Sequence, residues 1–244
     1  MMEQSLRIEY LEAMGIEQWV CRERVSVMPA LPDTGVMEQT VTSVTTAAGS
    51  ALEEVSGVSA LEWPELESRV ANCSRCVLHE TRTRAVFGTG SRTADWMIIG
   101  EAPGADEDRQ GEPFVGRAGQ LLTAMLAAIG CRRGEVYITN ILKCRPPGNR
   151  DPLPEEVACC HDYLDRQIQL VSPVLILVVG RIAAHYLLQT DLPVGRLRGR
   201  VHRYGKRGVP LVVTYHPAYL LRSPLEKRKS WEDLQLAQQV YRGL

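Results

Sequence analysis

The sequence lacks the features that would place the chain in a membrane or in an oxidising compartment. No apolar run reaches the roughly 18 residues that a membrane-spanning helix needs. The N-terminus has acidic residues where a secretion signal would carry a basic start and an apolar centre. We therefore expect a soluble, cytoplasmic protein that does not bind membranes. Without a secretion signal, the seven cysteines argue against a disulfide framework and favour metal or redox use.

Aromatic residues are scarce, and internal repeats are absent. Only 6% of the residues are aromatic, and only two of the 244 are phenylalanine. One of them, Phe114, lies in a polar loop rather than on an apolar face, so it needs an explanation. With 45% hydrophobic content the chain can bury one good-sized core.

The net charge of −1 conceals an uneven distribution along the chain. Residues 1–72 contain 4 Lys and Arg against 12 Asp and Glu, whereas the remaining residues contain 24 and 17. The first part is therefore acidic and the second basic, and we expect the two parts to meet different partners. A basic balance suits a polyanion such as nucleic acid, although a solvated surface of mixed charge is the alternative.

The composition divides the chain into three parts. Residues 1–26 include a short amphipathic helix, and residues 27–60 have the Ser, Thr, Val, Ala, Gly and Pro content of a flexible linker. Residues 61–244 alternate short apolar runs with segments of helical periodicity. This alternation predicts an α/β fold with three layers, α/β/α, around a central, mostly parallel sheet.

The loop from residue 100 to residue 119, GEAPGADEDRQGEPFVGRAG, lies between a predicted buried strand and a predicted helix. Its five glycines, two prolines and five acids are unsuited to a packed core. Loops at strand ends of α/β proteins often form binding sites. We therefore expect the chemistry of the protein to reside there.

Four of the cysteines have a spacing that suits a metal centre. Cys73 and Cys76 form a CxxC pair whose short turn lets both sulfurs point at one ion, and Cys144 and Cys160 follow later. Thiolates are soft ligands that suit zinc or an iron–sulfur cluster. Spacing alone leaves zinc, a cluster and no metal open, and Cys159 competes with Cys160 as a ligand.

Three segments at predicted strand ends carry a family resemblance. They are the loop described above, the segment YITNILKC followed by RPPGNR, and the segment TYHPAYLLR. Together with the cysteines they resemble the family 4 uracil-DNA glycosylases, over about residues 61–237. The resemblance implies excision of uracil from DNA, leaving an abasic site for base excision repair. It also implies a [4Fe–4S] cluster held by Cys73, Cys76, Cys144 and Cys160.

The resemblance implies that three residues hold the flipped uracil. His216 would donate to O2 and stabilise the departing anion, and Asn140 would read O4 and N3–H with one amide. Phe114 would stack on the base. Without the resemblance, these residues would be a satisfied core histidine, a loop-capping asparagine and a loop anchor.

The source of the attacking water stays open between two acids of the loop. Glu101 and Glu107 match family positions that line the pocket, and either could orient the water. The family 1 loop GQDPYH has an Asp where this chain has Ala102, so Ala102 is expected to offer only its backbone N–H to the base. The segment PPGNRDPLP has no His, unlike that of a covalently trapping relative, so we expect turnover by water.

Contacts to DNA are expected from two later segments. Leu220, Leu221 and Arg222 would form an apolar wedge and a phosphate clamp, although the leucines also suit the core of a helix start. Lys143 and Arg145, beside the cysteine ligands, would contact phosphates. The cluster would then be a structural staple that shapes a DNA-facing loop.

The N-terminal part resembles a different protein. MGIEQW followed by CRER is similar to the N-terminal peptide of the psi subunit of the bacterial replicative clamp loader. We hypothesise that residues 6–26 tether a monomeric enzyme to a replication partner. Two rival functions remain: a non-catalytic DNA-binding or replication-associated module of the same fold, and a zinc-stapled hydrolase that uses Glu101 and Glu107.

Overall fold

A computed structural model of the chain describes residues 55–244. Nine α-helices are found in this range: α1 Val55–Val58, α2 Trp63–Ala71, α3 Ala105–Gln110, α4 Arg117–Ala128, α5 Pro154–Val171, α6 Arg181–Leu188, α7 Val194–Leu197, α8 Pro217–Arg222 and α9 Lys227–Arg242. The strands are β1 Thr89–Gly90, β2 Trp96–Gly100, β3 Tyr137–Asn140, β4 Leu175–Val179, β5 Val201–Tyr204 and β6 Val209–Thr214. Short 3₁₀ turns cover Val77–His79, Arg133–Glu135, Pro147–Asn149 and Pro224–Glu226.

The six strands form one sheet in the order β1-β3-β2-β4-β6-β5. The four central strands run parallel to one another, and the two edge strands are antiparallel to their neighbours. Helices cover both faces. The predicted three-layer α/β/α fold with a mostly parallel sheet is thus confirmed. The two-residue strand β1 is too short to be recognised from its sequence.

Each face of the sheet buries a separate core because successive strand residues point to opposite sides. In β2, Trp96 and Ile98 pack with α4 and α9, whereas Met97 and Ile99 pack with α5 and α6. Strand β4 divides its five buried residues in the same way. A strand buried on both faces is a continuous apolar run, which explains why β2 and β4 are evident in the sequence.

A third, smaller core joins the N-terminal helices to the cysteine-bearing segments. Leu66 and Val70 of α2 pack in it with Cys144 and Cys160. Val58 of α1 is also buried there, although the predicted linker extended to residue 60. The packed region therefore includes residues before the predicted start at residue 61. The predicted peptide at 1–26 and most of the predicted linker lie outside the described residues.

The parallel strands bring four chain segments to one edge of the sheet. Gly100 ends β2, Asn140 ends β3, Gly180 follows β4, and Tyr215 follows β6. Ligands of open α/β sheets bind outside the carboxyl ends of the strands. The topology therefore gathers the three sequence motifs at a single place. Between residues 55 and 244, no helix is both long and apolar enough to cross a bilayer.

Candidate functional site

A cavity of about 770 Å³ opens at the carboxyl ends of the parallel strands. Its lining includes seven of the residues proposed from the sequence: Glu101, Ala102, Glu107, Phe114, Asn140, His216 and Arg222. The four other residues proposed to bind DNA do not line it. The sequence motifs, far apart in the chain, thus form one site.

Asn140 presents a buried polar atom to this cavity. Only 2% of the residue is exposed, and its Oδ1 has no hydrogen-bond partner within residues 55–244. Leaving a buried amide oxygen without a hydrogen bond costs about 1–3 kcal/mol of folding free energy. The hydrogen-bond partners of an amide decide which of its two end atoms is oxygen and which is nitrogen. The backbone around Asn140 is fixed, since the next residue, Ile141, donates its N–H to Gly100 O at 3.0 Å. The cavity therefore holds a fixed amide whose Oδ1 has no hydrogen-bond partner among the residues that the structure describes.

Gly100 lets Asn140 and Phe114 approach each other across the end of β2. A Cβ placed on Gly100 would lie 2.4 Å from Asn140 Oδ1 and 2.6 Å from Phe114 Cζ. Real side chains do not tolerate such distances, so any larger residue would displace both groups. The ring of Phe114 lies 5.7 Å from that of His216, at an interplanar angle of 33°. Three of the predicted base-contacting residues therefore surround one volume.

The backbone of Phe114 is held in a left-handed conformation, with φ of 54°. This conformation is unfavourable for a bulky residue, so the surroundings must stabilise it. Glu107 does so by accepting Val115 N–H at 2.9 Å and Gly116 N–H at 3.0 Å. Gly119 contributes space, because a Cβ there would lie 1.7 Å from Phe114 O.

The carboxylate of Glu107 is committed to this loop. Besides the two bonds after Phe114, its Oε2 accepts Gly104 N–H at 3.1 Å, at the start of α3. Three backbone donors therefore occupy both oxygens. Glu107 therefore stabilises the conformation of the loop and is poorly placed to orient a water.

Glu101 has a different environment. It is half-buried at the end of β2, and burial, followed by repulsion from Asp151, raises its pKa to about 7, while Arg181 acts in the opposite direction. Asp151 and Arg181 form an ion pair of 2.6 Å at the cavity wall. A carboxyl group with a pKa near 7 is typical of a catalytic acid or base. The ion pair was not found from the sequence, because its partners lie on segments that only the fold brings together.

His216 is fixed as a neutral donor. Its Nδ1 accepts Ala218 N–H at 3.1 Å as the N-cap of α8, so a neutral ring carries its proton on Nε2. Burial, and then repulsion from Arg222, lowers the pKa of His216 to about 4. Gly180, at φ of 106°, allows the close approach, because a Cβ there would lie 3.1 Å from His216 Cβ.

Two predicted DNA contacts are wrong. Lys143 is only 1% exposed, and its Nζ donates to Thr139 Oγ1 at 2.7 Å, Asn140 O at 2.7 Å and Gln167 Oε1 at 2.6 Å. It cannot reach a phosphate, and instead it fixes the strand end that carries Asn140. Leu220 is 1% exposed and belongs to the core beside α4. Consecutive helix residues point in different directions, so α8 buries Leu220 and exposes Leu221.

The remaining predicted DNA contacts lie at or near the surface. Leu221 is 37% exposed, and Arg222 lies at the cavity rim. Arg145 is half-buried and donates from Nε to Asn149 Oδ1 at 2.7 Å. Arg150, its neighbour in the same loop, pairs with the buried Glu156 at the start of α5. Arg150 is therefore engaged in holding its own loop.

The cysteines predicted to bind a metal gather around a second, small cavity. Its lining contains Cys73, Cys76, Cys144, Cys159 and Cys160. All five are free thiols, so both Cys159 and Cys160 remain candidates for the fourth ligand. Arg82 also lines the cavity and donates from Nη1 to Cys144 Sγ at 3.1 Å.

The donor set, five thiols around one cavity with an arginine beside them, fits a thiolate-bound metal group. Burial raises the pKa of Cys160 to about 12, and burial also raises that of Cys144. A bound metal removes such protons, and a hydrogen bond from Arg82 would stabilise the resulting sulfur charge. No group of three or more His, Cys, Asp or Glu in the described range meets a metal-site geometry as it stands. The fit therefore rests on donor type and a shared cavity.

Comparison with known proteins identifies the family. A family model described as the uracil DNA glycosylase superfamily matches residues 87–235. The chain belongs to this superfamily. The matched range includes the cavity residues Glu101, Phe114, Asn140 and His216, together with two of the four predicted cluster ligands, Cys144 and Cys160.

Individual members of the superfamily are similar over most of their length. A type-4 uracil-DNA glycosylase of Archaeoglobus fulgidus is 48% identical over 176 residues, which cover 69% of this chain and 87% of that protein. One of Pyrobaculum aerophilum is 43% identical, covering 71% of this chain and 92% of that protein. One of Sulfurisphaera tokodaii is 41% identical, covering 69% and 80%.

Proposed function

We propose that this chain is a uracil-DNA glycosylase that flips uracil out of DNA and hydrolyses its N-glycosidic bond. The product is an abasic site, the substrate of base excision repair. The similarity to proteins named type-4 uracil-DNA glycosylase supports this function. The observation that carries it within the molecule is the buried Oδ1 of Asn140, which lines the cavity and has no hydrogen-bond partner among residues 55–244.

Recognition of the base follows from the amide of Asn140. One amide can donate to O4 of uracil and accept from N3–H, whereas cytosine presents the opposite pattern at both atoms. A bound cytosine would leave the amide unpaired in a dry cavity, which supplies discrimination without a second proofreading site. Phe114 stacks on the base, and Ala102 offers its backbone N–H.

Departure of the base depends on His216. The N-glycosidic bond breaks through an oxocarbenium-like state in which uracil leaves as an anion. The neutral imidazole donates Nε2–H to the developing charge on O2, and its low pKa keeps it neutral at working pH. The hydrogen bond from Ala218 fixes the ring in the tautomer that can donate.

Water activation is assigned to Glu101 rather than Glu107. The carboxylate of Glu107 already accepts three backbone N–H groups, whereas Glu101 has a raised pKa and lines the cavity. Ionised Glu101 orients the attacking water and offsets the positive charge that develops on the sugar. Glu107 contributes indirectly by holding the backbone of Phe114.

DNA is engaged at the rim of the cavity. Extrusion of a nucleotide costs a few kcal/mol, which contacts at the rim must offset. Leu221 fills the vacated stack, Arg222 meets a phosphate, and Arg145 contacts the backbone from the neighbouring loop. Leu220 and Lys143 have no part in this contact.

Cys73, Cys76, Cys144 and Cys160 would hold a [4Fe–4S] cluster in the cysteine cavity. Metal–sulfur bonds would then join the segment after α2, the loop after β3 and helix α5. Lys143, which donates to Asn140 O, lines the same cavity. Through Lys143 these segments support the strand end that reads the base.

The proposed function is tested by alkali cleavage of oligonucleotides at abasic sites. Wild-type protein should generate abasic sites in an oligonucleotide with one uracil and none in a matched cytosine oligonucleotide. Asn140→Ala should reduce uracil excision by about 100-fold, and the control Asn72→Ala, an exposed change at the end of α2, should not. Excision by Asn140→Ala at the wild-type rate would refute the recognition role.

The rival functions make different predictions. A non-catalytic DNA-binding module would produce no abasic sites with any variant. A zinc-stapled hydrolase would contain zinc rather than iron and sulfide, which metal analysis separates at once. The engaged carboxylate of Glu107 already argues against its use as half of an acid and base pair.

Two further proposals concern assembly. The protein acts as a monomer, and residues 6–26 tether it to a replication partner. The likeness of MGIEQW and CRER to the psi-subunit peptide supports the tether. A pull-down in which deletion of residues 1–54 leaves every partner in place would refute it.

A further inference from the structure

One edge of the molecule carries a concentration of cations, and the proposed function uses only one of them, Arg222. Between Asp191 and Glu226 the chain contains no acidic residue. This segment forms α7, the edge strand β5, β6 and α8. Its basic residues are Arg196, Arg198, Arg200, Arg203, Lys206, Arg207 and Arg222.

Most of these cations are exposed and uncompensated. Five of them, which we call the basic edge, are exposed and form no ion pair with any carboxylate in the described part of the chain: Arg196, Arg200, Arg203, Lys206 and Arg207. Arg198 differs, since it is largely buried and pairs with Asp233 and Glu232. The hydrogen bonds of Arg203 to Gly208 O and of Arg207 to Ser172 Oγ leave their charges unpaired.

The basic edge begins at the rim of the cavity. Gly195 in α7 lines the cavity, and Arg196 is the next residue. Strand β6 leads directly into His216, and β5 lies beside β6 at the usual spacing of about 4.8 Å. Because the two strands are antiparallel, Arg200 lies at the cavity end of β5 and Lys206 lies beyond the opposite end.

The chemistry of the basic edge suits a phosphate backbone, which carries one negative charge per nucleotide along each strand. Four of the five cations are arginine, whose planar guanidinium binds phosphate through paired donors. Basic residues on an edge strand also discourage pairing with another sheet, which is the competing explanation.

We propose that the basic edge binds the phosphate backbone of the DNA that flanks the uracil. The proposal rests on the proposed function, which places the uracil in the adjoining cavity. DNA leaving that cavity meets Arg196 and Arg200 first, and then follows β5 toward Lys206. The contacts are independent of sequence, since they touch only phosphates.

The test is the salt dependence of binding to a duplex of about 30 base pairs without uracil, measured by fluorescence anisotropy between about 50 and 200 mM salt. The variant combines Arg196→Gln, Arg200→Gln and Lys206→Gln. It should weaken binding by tenfold or more, and reduce the slope of log Kd against log salt by about 2 to 3, because each lost phosphate contact removes about 0.9.

The control variant combines Arg69→Gln, Arg132→Gln and Arg242→Gln, exposed changes elsewhere with the same loss of charge. It should leave the slope unchanged. An unchanged slope in the edge variant, or an equal fall in both variants, would overturn the proposal. An unchanged slope in the edge variant would mean that the basic edge binds a different partner or prevents pairing with another sheet.

A second measurement separates this proposal from the proposed function. A uracil-containing tetranucleotide lacks the flanking DNA that would follow β5 away from the cavity. A variant of the distant cations alone, Arg203→Gln with Lys206→Gln, should therefore release uracil from it at the wild-type rate. A reduced rate with an unchanged duplex slope would show a disturbed cavity and would contradict the proposal. If wild-type protein releases no uracil, the proposed function fails, while the duplex comparison still decides the role of the edge.

Discussion

Gly100 shows how one small residue can determine the geometry of a site. Its lack of a side chain places Asn140 Oδ1 and the Phe114 ring in the volume that a Cβ would occupy. The base-reading amide and the stacking ring are thereby positioned by a backbone atom, which cannot change rotamer. No sequence pattern other than the family motif itself predicts this role.

Gly100→Ala should reduce uracil excision by at least 100-fold, because the added methyl displaces both contacting groups. The matched control is Gly134→Ala, where a Cβ meets nothing within 4 Å. Steady-state rates on a uracil oligonucleotide and thermal melting would be measured for both variants. Full activity of Gly100→Ala would show that the two groups are not held as described.

The titration of Glu101 should control the pH dependence of activity. Its pKa of about 7 means that the water-orienting carboxylate forms as pH rises through 7, so activity should increase across that range. His216, with a pKa of about 4, stays neutral throughout and adds no second limb. Glu101→Gln should lower the rate and abolish the increase, as measured by single-turnover rates from pH 5.5 to 8.5. An unchanged pH profile in Glu101→Gln would exclude Glu101 as the titrating group.

The same residue should weaken the folded state at high pH. A carboxyl group whose pKa is raised by folding binds a proton more tightly in the folded state, so its contribution to stability falls as pH rises. Glu101→Gln should therefore be more stable than wild type by about 1–3 kcal/mol at pH 8 and nearly equal at pH 4. Denaturant unfolding at both pH values would measure the difference.

At the scale of elements, a small core joins α2 to the cysteine-bearing segments. Cys144→Ser should abolish iron binding and lower the melting temperature, because the proposed cluster would tie these segments together. Cys131→Ser is the matched control and should retain iron, because Cys131 is not among the lining residues and packs against a different core. Iron and sulfide content per chain would be measured after anaerobic purification.

The same measurement decides whether Cys159 or Cys160 is the fourth metal ligand. Loss of iron in Cys160→Ser and retention in Cys159→Ser would support the ligand set given above. The reverse result would make Cys159 the ligand. Both thiols are consecutive residues of α5, so only their directions from the helix distinguish them.

The sequence predicts elements better than it predicts side-chain directions. The buried strands β2 and β4 are recognisable because continuous apolar runs have few other uses. Lys143 and Leu220 were misassigned because charge and apolarity do not reveal which way a residue faces at a strand end or in a short helix. The structural role of Glu107 could not be predicted from the sequence either, since its partners are backbone N–H groups, which every loop possesses.

At the scale of the whole molecule, the order of the parallel strands creates the site. It brings the ends of β2, β3, β4 and β6 together, although Gly100 and His216 are far apart in the sequence. The predicted α/β topology was sufficient to expect such a meeting point. The basic edge was not expected, because it depends on β5 being an edge strand. Part of the net positive charge of residues 73–244, which is evident from the composition, thus lies at the basic edge.

The central claim is that this cavity breaks the bond between uracil and its sugar, and the release of free uracil tests it most directly. Single-turnover release from a uracil oligonucleotide would be followed for wild type and for His216→Ala, with His185→Ala as a matched control that lines neither cavity. We predict release by wild type and the control, and a rate about 100-fold or more lower for His216→Ala, since one donor to the departing anion is lost. Absence of uracil release by wild type, or equal rates for wild type and His216→Ala, would contradict the account.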